Sequence, residues 1–481
     1  MTLPLPKAKF HRLPNIMFRS ESPANFPGPE LIALNKDLLS ELSQVKAATK
    51  DEILGLCSGQ AGFEQSLTTA YAGHQFGHFN PQLGDGRAHL LGEVAHDSGV
   101  NWELQLKGSG QTSFSRRGDG RCALSPALRE YLISRYMKAV GVETLQTLAV
   151  VTTGETVLRH YPEKGAIVSR VGLSHLRVGT MQYAALQGKD IVQRLINFAA
   201  RYYEIEASEP REQISVLFEK ITARQADLVC SWLAIGFIHG VLNTDNCSIL
   251  GQTIDYGPCA FMDFYDPAQV YSSIDKQGRY AYHNQKAITQ WNLTRLAEAF
   301  LVSVEDSERE PLKEDLAATL ENYDKVFDAR WFERFSAKLG YSQNSEKGQV
   351  EKSIHRLLAI MDDERMDFTN TFQDLRLALA SSSPDRIPAK LHDWFVDWKE
   401  LVQKDGGSII AAQKKMQMVN PTVIPRNHQV EKALKAAEDG DHTVWRQLDK
   451  VLTEPFVGDH PKEYQAPPKD NEIVVATFCG T

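Results

Sequence analysis

Cysteine is scarce in this 481-residue chain, with six in all (Cys57, Cys122, Cys230, Cys247, Cys259, Cys479) and none in CxxC or other zinc-ligand spacing. That usage excludes a zinc ribbon and leads us to expect a reducing cytoplasm. Long apolar runs are missing too. No stretch approaches roughly 18 apolar residues, so no membrane span is expected, and MTLPLPKAKFHRLP lacks the apolar core of a secretory signal. Positive charge is in deficit: 53 Lys and Arg against 61 Asp and Glu give −8 and a pI near 6.0. That balance argues against attraction of the whole protein to nucleic acid or anionic membrane, but leaves room for a local basic cleft. What is present is ordinary globular composition, 42% hydrophobic and 24% charged. The length fits two to four domains, or one elaborated catalytic core, and excludes disordered, collagen-like and mini-protein classes.

The first sixty residues, rich in Pro and short polar breaks, read as a loose arm. From Gly84 to Arg170 short β-like runs follow one another: Trp102–Lys107, Leu148–Thr153, Thr156–His160 and Ala166–Arg170. One helix interrupts them at Ser125–Val140, with Ser125 as N-cap, Pro126 in the first turn and Gly141 as stop. Beyond residue 185 the pattern is helical. Ile214, Leu217, Phe218 and Ile221 form a core-facing stripe within Arg211–Phe237. Val241–Met262 reads as a short irregular stretch with two apolar triplets that could form a hairpin, and helices are expected over Gln285–Val302, Leu312–Leu339, Val350–Met361 and His428–Ala437. Residues 420–428 read as a polar connecting turn. There is no internal repeat. A small β-rich lobe followed by a larger helical one is the expected architecture.

Several motifs fail. His74-Gln-Phe-Gly-His78 has the spacing of a zinc-protease helix but carries Gln75 where that chemistry needs Glu, and Gly77 opposes a helix. In Lys107-Gly-Ser-Gly the lysine precedes the glycines, the reverse of a phosphate-binding P-loop. No GxSxG elbow occurs. What survives is an order of pieces. Gly84-Asp-Gly86-Arg87 is a turn whose N–H groups and arginine could approach a phosphate. Lys107 ends a strand, and Glu130 lies in the first helix. Then come His239-Gly-Val-Leu-Asn-Thr-Asp245-Asn246 and Asp255-Tyr256-Gly257. This is the order of a protein-kinase site. Two departures stand out. Val241 falls where the catalytic Asp belongs, which leaves Asp245 as the nearest carboxylate. The site also carries Arg87, Arg116, Arg117, Arg121, Arg170 and Arg177, more cations than γ-phosphoryl transfer requires. A nucleotide-binding pseudokinase scaffold is the alternative on residues alone.

The segments YAGHQFGHFNPQLGDGRAHLLGE (71–93), ELQLKGSGQTSFSRRGDGRCAL (103–124) and HGVLNTDNCSILGQTIDYGP (239–258), with Cys479-Gly-Thr, resemble the selenoprotein O (SelO/YdiU) family of pseudokinase-like protein adenylyltransferases. The resemblance runs from about residue 10 to the last residue. It implies an α+β, protein-kinase-like two-lobed fold: an extension over 1–60, an N-lobe over 61–180, a C-lobe over 181–330, and a helical extension with a cysteine-containing tail over 331–481. It implies transfer of AMP from ATP to Ser, Thr or Tyr hydroxyls of proteins, with Mg²⁺ or Mn²⁺ as cofactor. The nucleotide would be reversed, with its γ-phosphate inside. Lys107, Arg170 and Arg177 would hold that phosphate. Gly84, Gly86, Arg87, Asp119 and Gly120 would contact nucleotide. Asn246 and Asp255 would ligate the metal, Asp245 would accept the proton, and Glu130 would pair with Lys107. UTP with Mn²⁺ is an alternative donor. Cys479 stands where some relatives carry selenocysteine, which in the family can pair with a cysteine near the activation segment. This sequence departs from that pattern, with no cysteine near Tyr271–Ser273 and only Cys259 in the segment that follows Asp255, so a Cys259–Cys479 pair and a free tail thiol both stay open. The expected protein is bacterial, cytoplasmic and monomeric, with no nucleic-acid or membrane partner.

Overall fold

The computed structural model describes residues 3–477 except 61–62, 64, 160, 208, 343, 382 and 405–406. It is a mixed α/β structure, β-rich in its N-terminal region and helical beyond. One antiparallel sheet runs in the order Phe18–Ser20, Leu67–Thr69, Ala88–Ala95, Asn101–Lys107, Pro162–Gly172, Gln146–Leu158, Glu30–Leu34, with Cys122–Ala123 paired beside Pro162–Gly172. The first sixty residues are therefore not a loose arm. Two of their segments are strands of this sheet, and the helices Lys36–Glu41 and Lys50–Ser58 pack on it. Leu148–Thr153 and Thr156–His160 are one strand, Gln146–Leu158, bent at Gly154 with φ +76°; His160 lies outside the described residues.

Period-two alternation explains the apolar runs of this sheet, because both of its faces are covered. Leu104, Leu106, Val151, Ile167 and Val171 point to one core with Leu42, Val45, Ile53 and Leu56. Val150, Ala166 and Val168 point to the other core, shared with the helical region. Lys107, in register with Val168, and Arg170, in register with Gln105, have the parity of this second face, which the Leu124–Ala139 helix covers. That helix begins at Leu124 with Ala123 at its N-cap and no capping side chain, so Ser125 is not the cap. It stops as expected: Gly141 takes φ +77° and the N–H of Val142 closes on the Met137 carbonyl at 2.9 Å.

In the helical region, Pro210–Ala234 buries Ile214, Leu217, Phe218 and Ile221. Phe237–Ile238 and Ala260–Phe261 pair antiparallel as a short ribbon bracketing the loop between; its first strand lies before Val241, so the hairpin is not contained in Val241–Met262. The single helix expected over Leu312–Leu339 is two, Asp306–Glu321 and Tyr323–Lys338, parted at Asn322. Among the described residues no helix is long and apolar enough to cross a membrane.

Candidate active site

The strand ending in Lys107, the strand carrying Arg170 and the helix carrying Glu130 converge on Asp255. Lys107 Nζ donates to Glu130 Oε2 and to Asp255 Oδ1, each at 2.8 Å. Arg170 Nη2 donates to Glu130 Oε2 at 3.0 Å and to Asp255 Oδ1 at 2.8 Å, while its Nε donates to Glu130 Oε1. Two acids and two bases thus form a buried, formally neutral knot, the arrangement in which buried charge is tolerated. Burial pushes the Asp255 carboxyl up, but Lys107 and Arg170, with Arg177 beyond them, outweigh it and hold it well below the usual carboxylate range. Glu130 is likewise held low: burial opposes ionisation, and Arg170 and Lys107 overcome it. Burial and Arg170 disfavour the Lys107 ammonium, yet Asp255 and Glu130 raise it above the ordinary lysine value. Asp255 sits at φ +61°, a left-handed conformation that only surrounding contacts sustain in a non-glycine residue. Its side chain remains 26% exposed, so it faces the cleft as well as the knot.

The loop from His239 to Asn246 supplies the other groups. The imidazole of His239 is buried, lies within 2.9 Å of the Ile254 carbonyl through Nε2, and is pushed toward the neutral form by that burial. It ties the loop to the residue preceding Asp255. Arg177 Nη1 donates to the main-chain oxygen of Asp245 at 2.9 Å, and the guanidinium lies over the Tyr71 ring at 4.6 Å. Burial raises the Asp245 carboxyl to about 6. Asn246 Nδ2 donates to the Val241 carbonyl at 3.0 Å, so its carboxamide oxygen is the atom that could take a metal. An ionised carboxylate and an amide oxygen make a hard, oxygen-only pair, suited to Mg²⁺ or Mn²⁺ completed by phosphate oxygens. Among the described residues no cluster of three His, Cys, Asp or Glu could hold a metal by itself.

The glycine turn and the Gln111–Arg121 loop are stitched together. Gly84 has φ +81°, and a Cβ there would run into the Phe114 ring; a Cβ on Gly86 would stand 2.9 Å from the Phe114 carbonyl. Thr112 Oγ1 donates to the Asp85 carbonyl at 2.8 Å, and Arg87 Nη1 to the Arg121 carbonyl at 3.3 Å. Gly120, at φ +71°, packs on Gly110, while Asp119 is half-exposed and paired with Arg159 at 2.6 Å. Of the six arginines, Arg170 and Arg177 reach the knot and the His239–Asn246 loop. Arg121 pairs with Glu155 at 2.7 Å, and Arg116 and Arg117 are exposed on the loop.

Sequence reasoning overlooked three groups here. Asp85, between the two glycines, is buried, accepts from the Thr69 N–H at 3.0 Å and lies 3.9 Å from Arg177. Gln75 donates through Nε2 to Asp245 Oδ2 at 2.9 Å. The His74–His78 segment that holds it is no helix but a tight ribbon, Gly73–Gln75 paired with His78–Asn80. Arg426 lies in the expected connecting turn, yet it is wholly buried between Asp263 (2.8 Å) and Asp367 (2.7 Å). Cys259 is buried, its thiol pushed up to about 12 by that burial, and Cys479 lies outside the described residues.

Comparison with known proteins places relatives along this whole arrangement. The family model described as "Protein adenylyltransferase SelO" matches residues 6–454. Proteins called "Protein nucleotidyltransferase YdiU" are similar throughout. One from Rhizobium etli (strain CIAT 652) is 44% identical over 98% of this chain and 96% of its own. One from Anoxybacillus flavithermus is 42% identical over 98% of both, and one from Bacillus thuringiensis 43% identical over 98% and 96%.

Proposed function

The chain belongs to the SelO family and is a protein nucleotidyltransferase, and from that premise we propose that it transfers AMP from ATP to Ser, Thr or Tyr hydroxyls of proteins, on a kinase-like two-lobed frame. The observation that carries this reading is the Lys107–Arg170–Asp255 cluster. Two fixed cations, with Arg177 close by, would hold the terminal phosphate of a reversed triphosphate. The α-phosphate is then turned outward to the acceptor. A kinase with its γ-phosphate outermost has no use for so much inner charge.

In this mechanism the acceptor oxygen attacks the α-phosphorus in line and the bond from that phosphorus to the bridging oxygen breaks. Pyrophosphate leaves, and the hydroxyl proton passes to the Asp245 carboxylate. Lys107, Arg170 and Arg177 neutralise the inner phosphates, while the Gly84–Arg87 and Asp119–Gly120 loops position the nucleotide. Asn246 and Asp255 would hold Mg²⁺ or Mn²⁺, which supplies charge neutralisation at the phosphates.

Purified protein is incubated with α-labelled ATP, γ-labelled ATP and α-labelled UTP, with Asp255→Ala as control. Label from α-labelled ATP alone is expected, and it should be lost in Asp255→Ala and mostly lost in Lys107→Ala. Label from the γ position would mean phosphoryl transfer, label from UTP uridylylation, and no label a scaffold; each overturns the reading.

A further inference from the structure

Asp245 is almost wholly buried, and its two carboxylate oxygens have different surroundings. Oδ2 accepts from Gln75 Nε2 at 2.9 Å, whereas Oδ1 is buried with no hydrogen-bond partner among the described residues. A buried carboxylate oxygen without a donor is an unmade bond. Gln75 does not reach Asp245 by chance of rotamer. Three consecutive loop side chains grip the ribbon on which it stands. Thr244 Oγ1 accepts from the His74 N–H at 2.7 Å, Asn243 Oδ1 accepts from the Phe76 N–H at 3.1 Å, and Asp245 takes Gln75 itself. Tyr280 completes the grip: its hydroxyl donates to Asn243 Oδ1 and accepts from the Phe76 N–H at 3.2 Å. Gly73 lets the ribbon settle this close, since a Cβ there would stand 3.0 Å from both Cβ and Oδ1 of Asp245. Arg177 meanwhile fixes the main chain of the same residue.

We propose that Gln75 is a positioning residue for nucleotidyl transfer. Its amide, donating to Oδ2, fixes the rotation of the Asp245 carboxylate, the group that receives the acceptor proton. This inference rests on Asp245 as proton acceptor, the role assigned above. The ribbon is then part of the acceptor side of the site, and the amide of Gln75 decides which way the carboxylate faces. The chemistry is unchanged: the acceptor proton passes to the Asp245 carboxylate as the oxygen–phosphorus bond forms and pyrophosphate departs. Gln75 itself exchanges no proton.

The test is a double-mutant cycle of Gln75→Met, which keeps the size but removes the donor, with Asp245→Ala. Transfer is read with whichever nucleoside triphosphate the wild-type enzyme uses, so a wrong donor counts against the AMP reading and not against this one. Gln75→Met is expected to lower kcat about 10-fold, with nucleotide KM and thermal midpoint unchanged. In the Asp245→Ala background it should change kcat less than about 2-fold, because a residue acting through Asp245 has nothing left to orient. Gln75→Leu, also without a donor, should match the Met variant and serves if Met disturbs the ribbon. Wild-type kcat in both variants, or a loss that persists undiminished in Asp245→Ala, overturns the proposal. So does an Asp245→Ala enzyme with full activity.

Discussion

Lys338 and Lys107 are both buried lysines, and their surroundings send them opposite ways. Lys107 has two carboxylates at 2.8 Å and keeps its charge. Among the described residues Lys338 faces no acid. Its ammonium donates to Asn420 Oδ1 at 2.8 Å and lies 3.9 Å from the centre of the Phe372 ring. Burial pushes it down to about 7, against the ring and the amide oxygen that favour the charged form. Between that value and the ordinary lysine value near 10.4 the unfolded chain binds a proton that the folded one does not, so stability rises with pH across this window. The slope owed to this group is up to about 1.4 kcal/mol per pH unit. Urea unfolding at several pH values between 7 and 10 should show it in the wild type and not in Lys338→Met. Residues of this kind are hard to read from sequence. Lys107, Glu130 and Asp255 are legible because residue type and order name their roles. Gln75 and Asp245 stand 170 positions apart, and no local pattern links them.

The segment that follows Asp255 is held from outside at nearly every second residue. Thr477 Oγ1 donates to the Pro258 carbonyl at 2.6 Å, Arg129 Nη2 to that of Cys259 at 2.5 Å and Asn427 Nδ2 to that of Phe261 at 3.1 Å; Arg426 takes the Asp263 carboxylate. The polar stretch at 420–428 is therefore a clasp for this segment as well as a link to the helix Asn427–Glu438. Its buried arginine is the part most costly to lose, since removing one partner of a buried ion group costs about 3–5 kcal/mol. Arg426→Met should fall by that amount in denaturant unfolding, and adding Asp263→Asn should recover part of it by removing a stranded carboxylate. Elements were legible in the sequence where they are long and periodic, as with the stripe from Ile214 to Ile221. The three-residue strands Phe18–Ser20 and Leu67–Thr69 escaped because segments so short carry no period, and only their neighbours in the sheet make them strands.

Across the whole molecule, the C-terminal helices come back to the β-rich region. Asn427–Glu438 and Thr443–Leu452 pack on the outer side of the Glu130 helix, with Trp445 against Tyr131 at 5.3 Å between ring centres. Arg135 reaches Asp449 at 2.9 Å, and Arg129 reaches Glu431 at 3.5 Å. Trp445→Ala should destabilise the protein by about 3–5 kcal/mol, and hydrogen exchange should quicken throughout Leu124–Ala139, far from the substituted ring in sequence. The net charge of −8 is not offset in the site: Arg170 is paired with Glu130 and Asp255, and Arg177 is tied to the main-chain oxygen of Asp245.

A helix gripped by a sheet on one side and by two helices on the other has no freedom to swing. Glu130 therefore cannot be withdrawn from Lys107 without prying apart the two ends of the chain. The Lys107–Glu130 pair is thus set by the fold itself, before any substrate arrives.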